Sequence, residues 1–359
     1  MKWPNHGGQP ETMKQLFNIK PEHKMLDFSA NLNPLGPPSW LKQALEEQYD
    51  TLVHYPEPSY DQSHLALAKH EGIHKDQVLL TNGGAEAIFL VAKYFEKKNA
   101  LIVHPTFSEY ERACQHYHLK VDHVFYDIDN EFQLPMSCIL AKLPVTDVIF
   151  LCRPNNPTGT VVKEEDIIQL LKAGKKFGTT IVVDEAFVDF LPGSIAPLTK
   201  WLASYSNIIL LRSLTKMYTI PGLRAGYLIA TENIIQTLKD VQIPWSINAL
   251  VNSIIPKLLS DTMFVEQTKQ WLQEQSHYVR KTLTQLDFYL SPSSVNFYLL
   301  QDLKRPQTDE LFQFLLQHGI VTRHTHNFKG LDGKYIRIAV RSKAENEQFL
   351  HFLKKWRNE

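Results

Sequence analysis

Short apolar runs alternate with amphipathic stretches through the middle of this chain. Residues 78–81 form one such run, closed by Asn82-Gly83-Gly84. Residues 85–97 then carry Ile88, Val91, Ala92 and Phe95 at helical spacing. Residues 100–103 and 147–151 are further strand-like runs, and 164–176 reads as a helix with Ile167, Ile168, Leu170 and Leu171 on one face. Three more runs follow at 180–183, 207–211 and 226–230. Buried strands separated by helices predict a largely parallel sheet covered on both faces, with any ligand at the carboxyl ends of its strands.

The flanks read differently. Residues 1–48 are loop-rich, with a turn at Asn31-Leu-Asn-Pro-Leu-Gly-Pro-Pro38 before a helix near Ser39. Beyond Pro244 the pattern predicts a long helix over 262–285, strands near 296–300 and 335–340, a helix near 308–318 and a terminal helix. The expected division is a large α/β domain over 49–250. A smaller α+β domain is expected from 1–48 together with 251–359.

Composition narrows the function classes. The chain has 359 residues, and its 38 basic and 38 acidic side chains cancel, so no net field favours nucleic acid or an anionic membrane. Three widely spaced cysteines, Cys114, Cys138 and Cys152, form neither a disulfide framework nor a metal knuckle and suit a reducing compartment. No apolar stretch matches a signal peptide or a bilayer span. A cytoplasmic protein is the expectation, with no nucleic-acid-binding segment ahead of the fold.

The candidate chemistry centres on Lys216, in Arg212-Ser-Leu-Thr-Lys-Met-Tyr-Thr-Ile-Pro-Gly-Leu-Arg-Ala-Gly-Tyr227. A lysine amine condenses with aldehydes. Ser213 and Arg224 on either side could hold a phosphate, and pyridoxal phosphate (PLP) carries both groups. Asp184 ends the run Ile181-Val-Val-Asp. A carboxylate there either caps the next turn or partners a buried cation such as a protonated pyridine. In Arg153-Pro-Asn-Asn-Pro-Thr-Gly159 the residues make a tight turn, and Asn156 could also donate to the cofactor's phenolate. Thr81-Asn-Gly-Gly-Ala-Glu86 links a strand to a helix, where the glycines allow close approach and the free amides of the helix start would attract phosphate. Phe107 either packs in the core or stacks on the ring.

Taken together, these segments resemble the fold-type-I PLP enzymes of the class I/II aminotransferase superfamily, over essentially the whole chain. Asn-Asn-Pro-Thr-Gly, Asp-Glu-Ala and Ser-Leu-Thr-Lys…Pro-Gly-Leu-Arg-Ala-Gly-Tyr stand in the family's order and spacing. The resemblance implies Lys216 as the Schiff-base lysine, Asp184 as pyridinium partner and Asn156 at the ring oxygen. It places Ser213, Arg224 and the Gly84–Ala85 backbone at the phosphate. Histidinol-phosphate aminotransferases usually carry Tyr where this chain has Phe187. Threonine-phosphate decarboxylases look more similar, through His6-Gly-Gly8, Asp27-Phe-Ser-Ala-Asn-Leu-Asn-Pro-Leu-Gly36, Ile243-Pro-Trp-Ser-Ile-Asn-Ala249, Gly330-Leu-Asp-Gly-Lys-Tyr335 and Arg337-Ile-Ala-Val-Arg-Ser342. Gly84-Ala85 departs from their usual Glu-Thr, which removes a hydroxyl from the phosphate site.

That resemblance implies decarboxylation of threonine phosphate to aminopropanol phosphate, in cobalamin side-chain biosynthesis. The alternatives are an aminotransferase of the histidinol-phosphate type and a catalytically silent PLP-binding module. His6, Gly7, Asn31, Arg323 and Arg337 are the expected substrate contacts, since Arg pairs bidentately with carboxylate and phosphate. The expected assembly is a homodimer with shared active sites, Tyr55 reaching the neighbouring subunit's cofactor phosphate.

Overall fold

The computed structural model describes residues 3–19, 25–305 and 307–358; Met1 and Lys2 of the N-terminal run lie outside them. Strand β1 (Leu26–Asp27) leads to a large sheet of β2 (Val78–Thr81), β3 (Asn99–His104), β4 (Lys120–Phe125), β5 (Val148–Cys152), β6 (Thr180–Asp184), β7 (Ile208–Ser213) and β8 (Gly226–Ile229). Their spatial order is β2-β8-β7-β6-β5-β3-β4. Alternate residues enter two separate cores: Leu101, Ile149, Ile181 and Leu210 on one face, Ile102, Phe150, Val182 and Ile209 on the other. Burial on both faces is why these strands read as continuous apolar runs.

Two features differ from the expected sheet. Strand β8 runs antiparallel to both neighbours, β2 and β7, in an otherwise parallel sheet. Strand β4 was not expected at all. It is the edge strand, paired only with β3, and Lys120, Asp122 and Phe125 on it are exposed, so it lacks the apolar run that marks its neighbours.

The smaller sheet is antiparallel and contains β9 (Phe288–Leu290), β10 (Phe297–Asp302), β12 (Arg323–His324) and β13 (Ile336–Ala339), in the order β12-β13-β10-β9. Strand β11 (Ile320–Val321) pairs in parallel with β1, and Ala339 N–H donates to the Phe28 carbonyl. These bonds join the N-terminal segment to the C-terminal part of the chain. The long helix Thr262–Gln285 lies where its periodicity predicts; Thr308–Gln317 and Lys343–Asn358 are the other two expected C-terminal helices. Among the described residues no helix is long and apolar enough to cross a membrane.

Candidate active site

The large sheet's carboxyl edge opens into a cavity of about 670 Å³. Strand ends deliver its chemistry: Asp184 closes β6, Ser213 closes β7, and Lys216 lies in the helical turn Leu214–Met217 directly after it. Asn156 follows β5, and Gly84 and Ala85 open the helix Gly83–Tyr94 after β2. Arg224 reaches the same edge because β8 is antiparallel, so that strand starts where its neighbours end. The Arg224 guanidinium lies so close to Gly83 that a Cβ there would stand 2.6 Å from Nη2. Gly83 also has φ +74°, so it meets two requirements that only glycine satisfies.

Distant segments brace this edge. Asn33 Nδ2 donates to the Met217 carbonyl at 2.9 Å and to Thr268 Oγ1 at 2.8 Å, and Asn33 N–H donates to the Lys216 carbonyl. The Asn31-Leu-Asn-Pro segment therefore holds the turn that carries Lys216. Asn82 Nδ2 donates to the Ser246 carbonyl at 2.7 Å, and Asn248 Nδ2 to the Leu223 carbonyl at 3.1 Å. The 243–249 segment thus ties the start of helix Gly83–Tyr94 to the residue preceding Arg224. Beneath the edge, Arg212 pairs with Glu71 at 3.3 Å and Glu185 at 3.1 Å, and Arg153 pairs with Glu185 at 3.1 Å. All four side chains are buried.

Two groups have protonation properties suited to amine chemistry. Burial, reinforced by Arg337 and Arg224, lowers the Lys216 ammonium to about 8; Asp184 opposes the shift. Burial raises the Asp184 carboxyl, while hydrogen bonds from Tyr110 Oη at 2.7 Å and Ala186 N–H at 3.0 Å favour its charged form.

The opposite wall comes from the smaller sheet and the N-terminal segment. Arg337 donates through Nη1 to Asn156 Oδ1 at 2.6 Å and through Nη2 to the Ser29 carbonyl at 2.6 Å. Arg323 is held by the carbonyls of His324 and Asn5 and by Asn327 Oδ1. Neither arginine has a carboxylate partner among these bonds, and burial lowers Arg323 to about 10 and Arg337 to about 9. Gly7 sits against Ser29, where a Cβ would meet the Ser29 carbonyl at 2.1 Å, and Gly8 N–H donates to Ser29 Oγ at 2.8 Å. His6 is thereby carried to Glu109, 3.1 Å away. Asn31 is 5% exposed, and neither polar atom of its side chain has a hydrogen-bond partner among the described residues.

Thirteen of the fourteen residues expected at the site line this one cavity: His6, Gly7, Asn31, Gly84, Ala85, Phe107, Asn156, Asp184, Ser213, Lys216, Arg224, Arg323 and Arg337. Tyr55 does not line it. It is 82% exposed, its ring 5.1 Å from that of Trp245. Glu109, Tyr110 and Arg112 also line the cavity and were not foreseen. The signal for Tyr110 was its position three residues after Phe107, on the helix that follows a strand's carboxyl end.

The chain belongs to the aminotransferase class I and II family, whose model matches residues 23–353. Members of this family are PLP-dependent enzymes. Among curated relatives, the threonine-phosphate decarboxylase of Salmonella typhimurium is 36% identical over 351 residues, covering 97% of this chain and 95% of that protein. Among solved structures, L-threonine-O-3-phosphate decarboxylase from Porphyromonas gingivalis has a TM-score of 0.80 and 28% identity, covering 92% of this chain and 99% of its own. Histidinol-phosphate aminotransferase from Clostridium acetobutylicum has a TM-score of 0.87 and 29% identity, covering 93% and 99%.

The residues present fit PLP. The cavity joins an amine, a buried carboxylate, and helix-start amides, a hydroxyl and a guanidinium, which are donors that a phosphate takes.

Proposed function

We propose that this enzyme decarboxylates L-threonine O-phosphate to aminopropanol phosphate, with PLP held by Lys216. The observation that carries the reading is the wall opposite Lys216, where two buried arginines make no hydrogen bond to a carboxylate among the described residues and stand beside Asn31, whose side chain has no hydrogen-bond partner among them. Threonine phosphate brings two anions to such a wall. Histidinol phosphate carries a phosphate but no carboxylate. The 36% identity to a threonine-phosphate decarboxylase supports the same choice, as does Phe187, which cannot supply the tyrosine hydroxyl usual in histidinol-phosphate aminotransferases.

PLP when bound supplies an aldehyde and a ring that accepts the electron pair left by the departing carboxylate. The chain's own groups do the rest. Asp184 would favour a positive charge on the pyridine nitrogen, and Tyr110 and the Ala186 amide hold that carboxylate in place. Asn156 offers its amide NH₂ to the ring oxygen, because its carbonyl end is already engaged by Arg337. The Gly84 and Ala85 amides, Ser213 and Arg224 would hold the cofactor's phosphate, and Phe107 would pack against the ring.

Arg337 bonds Asn156 and lowers the Lys216 ammonium, and on that ground we assign it the substrate carboxylate. Arg323, with Asn31 and His6, receives the substrate phosphate. Lys216 returns a proton to the substrate carbon after carbon dioxide leaves; its lowered basicity suits that exchange near neutral pH. The exposed Tyr55 is consistent with a homodimer in which it reaches the neighbouring subunit's site.

The deciding experiment incubates holoenzyme with threonine phosphate and follows carbon dioxide and keto-acid formation separately. Carbon dioxide release without an added keto acid is the expected result. Turnover of histidinol phosphate with 2-oxoglutarate, and none of threonine phosphate, would establish the aminotransferase instead.

A further inference from the structure

One polar cluster outside the cavity is not used by this chemistry. His104 ends β3 and His123 lies on β4, whose parallel register pairs Ile102 with His123 and His104 with Phe125. Alternate strand residues share a face, so the two imidazoles project from the same side. His104 Nε2 and His123 Nδ1 are 3.0 Å apart. Glu111, from the helix Glu109–His116, brings a carboxylate oxygen to them, so that the three donor atoms all lie within 4.8 Å of one another.

From this grouping we propose a binding site for a divalent transition ion of the zinc class, formed by His104, Glu111 and His123. Two imidazole nitrogens and a carboxylate are the donors such ions take, and a tetrahedral centre sets its nitrogens about 3.3 Å apart. The imidazoles need only a few tenths of an ångström of opening, and Glu111, which is only partly buried, closes the third side. The competing cation is Lys329, whose Nζ lies 2.7 Å from Glu111 Oε1; Gln115 Nε2 also approaches that oxygen, at 3.3 Å. An ion there would tie edge strand β4 to the helix that presents Glu109, Tyr110 and Arg112 to the cavity. Cysteine spacing could not reveal this site, because its donors come from two strands and a helix.

The test titrates holoenzyme with Zn²⁺ and Co²⁺ against a chromogenic chelator. Wild type should bind one equivalent that His123→Ala and Glu111→Gln both lose, with melting temperature raised by the metal in wild type only. Bound Co²⁺ should show ligand-field bands without thiolate charge transfer, which separates this site from the exposed Cys138. Lys329→Ala removes the competing cation and should tighten binding roughly two- to fivefold. No binding at micromolar metal, or an equivalent retained in both His123→Ala and Glu111→Gln, would overturn the proposal. Because metal stoichiometry is read without substrate, its failure is distinct from failure of the decarboxylase reading.

Discussion

Arg337 Nη1 lies 2.6 Å from Asn156 Oδ1, joining the smaller sheet to the loop after β5 across the cavity. The contact orients both partners: it leaves the Asn156 amide to donate and holds the guanidinium beside Lys216. Arg337→Ala breaks it, along with the bond to the Ser29 carbonyl. Loss of a charge-assisted bond to substrate costs about 1.5–3 kcal/mol, or roughly ten- to a hundredfold in kcat/KM. Cofactor absorbance should persist, since Lys216 remains. Steady-state kinetics with visible spectroscopy checks both parts.

Lys216 should set the pH dependence of cofactor capture. Burial lowers its ammonium to about 8, and only the neutral amine attacks an aldehyde. PLP uptake by apoprotein should therefore speed up as pH rises through about 8 and level off above it. A rate that falls over that range would contradict the assignment. Lys216→Arg should leave no reducible, covalently bound cofactor by peptide mass spectrometry.

Tyr110→Phe removes the 2.7 Å hydrogen bond to Asp184. That bond favours the charged carboxylate against burial, so its loss should raise the Asp184 carboxyl further and weaken its hold on a protonated pyridine. PLP affinity should drop roughly tenfold. The loss should be greatest at low pH, where protonation of Asp184 is easiest. Cofactor release during dialysis across a pH series measures it.

Asn31→Ala should separate binding from stability. The Asn31 side chain has no hydrogen bond to the described residues to lose, so the melting temperature should not fall. A lost substrate contact of about 0.5–1.5 kcal/mol should raise KM roughly two- to tenfold. Thermal melts run beside kinetics would show the split, and an unchanged KM would remove Asn31 from the substrate site.

Tyr55 is expected to act in the partner's site. Sedimentation should give a species twice the 41.4 kDa chain mass. Tyr55→Ala should remain dimeric yet release PLP faster. Mixed dimers of Tyr55→Ala and Lys216→Ala subunits should then hold one fully formed site. A monomer with full activity would refute the shared site.

Sequence alone determined the parallel α/β frame and named most of the candidate residues that the structure gathers around one cavity. Strands buried on both faces must be apolar throughout, so they stand out, and the polar residues closing them mark the edge where ligands bind. That is why Asp184, Ser213, Lys216 and Asn156 could be read in order. The family resemblance added Arg323 and Arg337, whose exposure and partners no local pattern reveals. Strand direction and edge position belong to the tertiary structure. Strand β8 has the same apolar run as its parallel neighbours, yet its reversal is what brings Arg224 to the cavity edge. Strand β4 is half-solvated and carries no buried run to read. Tyr110 on Asp184, Arg212 between Glu71 and Glu185, and Arg337 on Asn156 join residues 74, 141, 27 and 181 positions apart. Periodicity records which way a side chain faces, whereas such long-range partners are decided only when separate elements pack together.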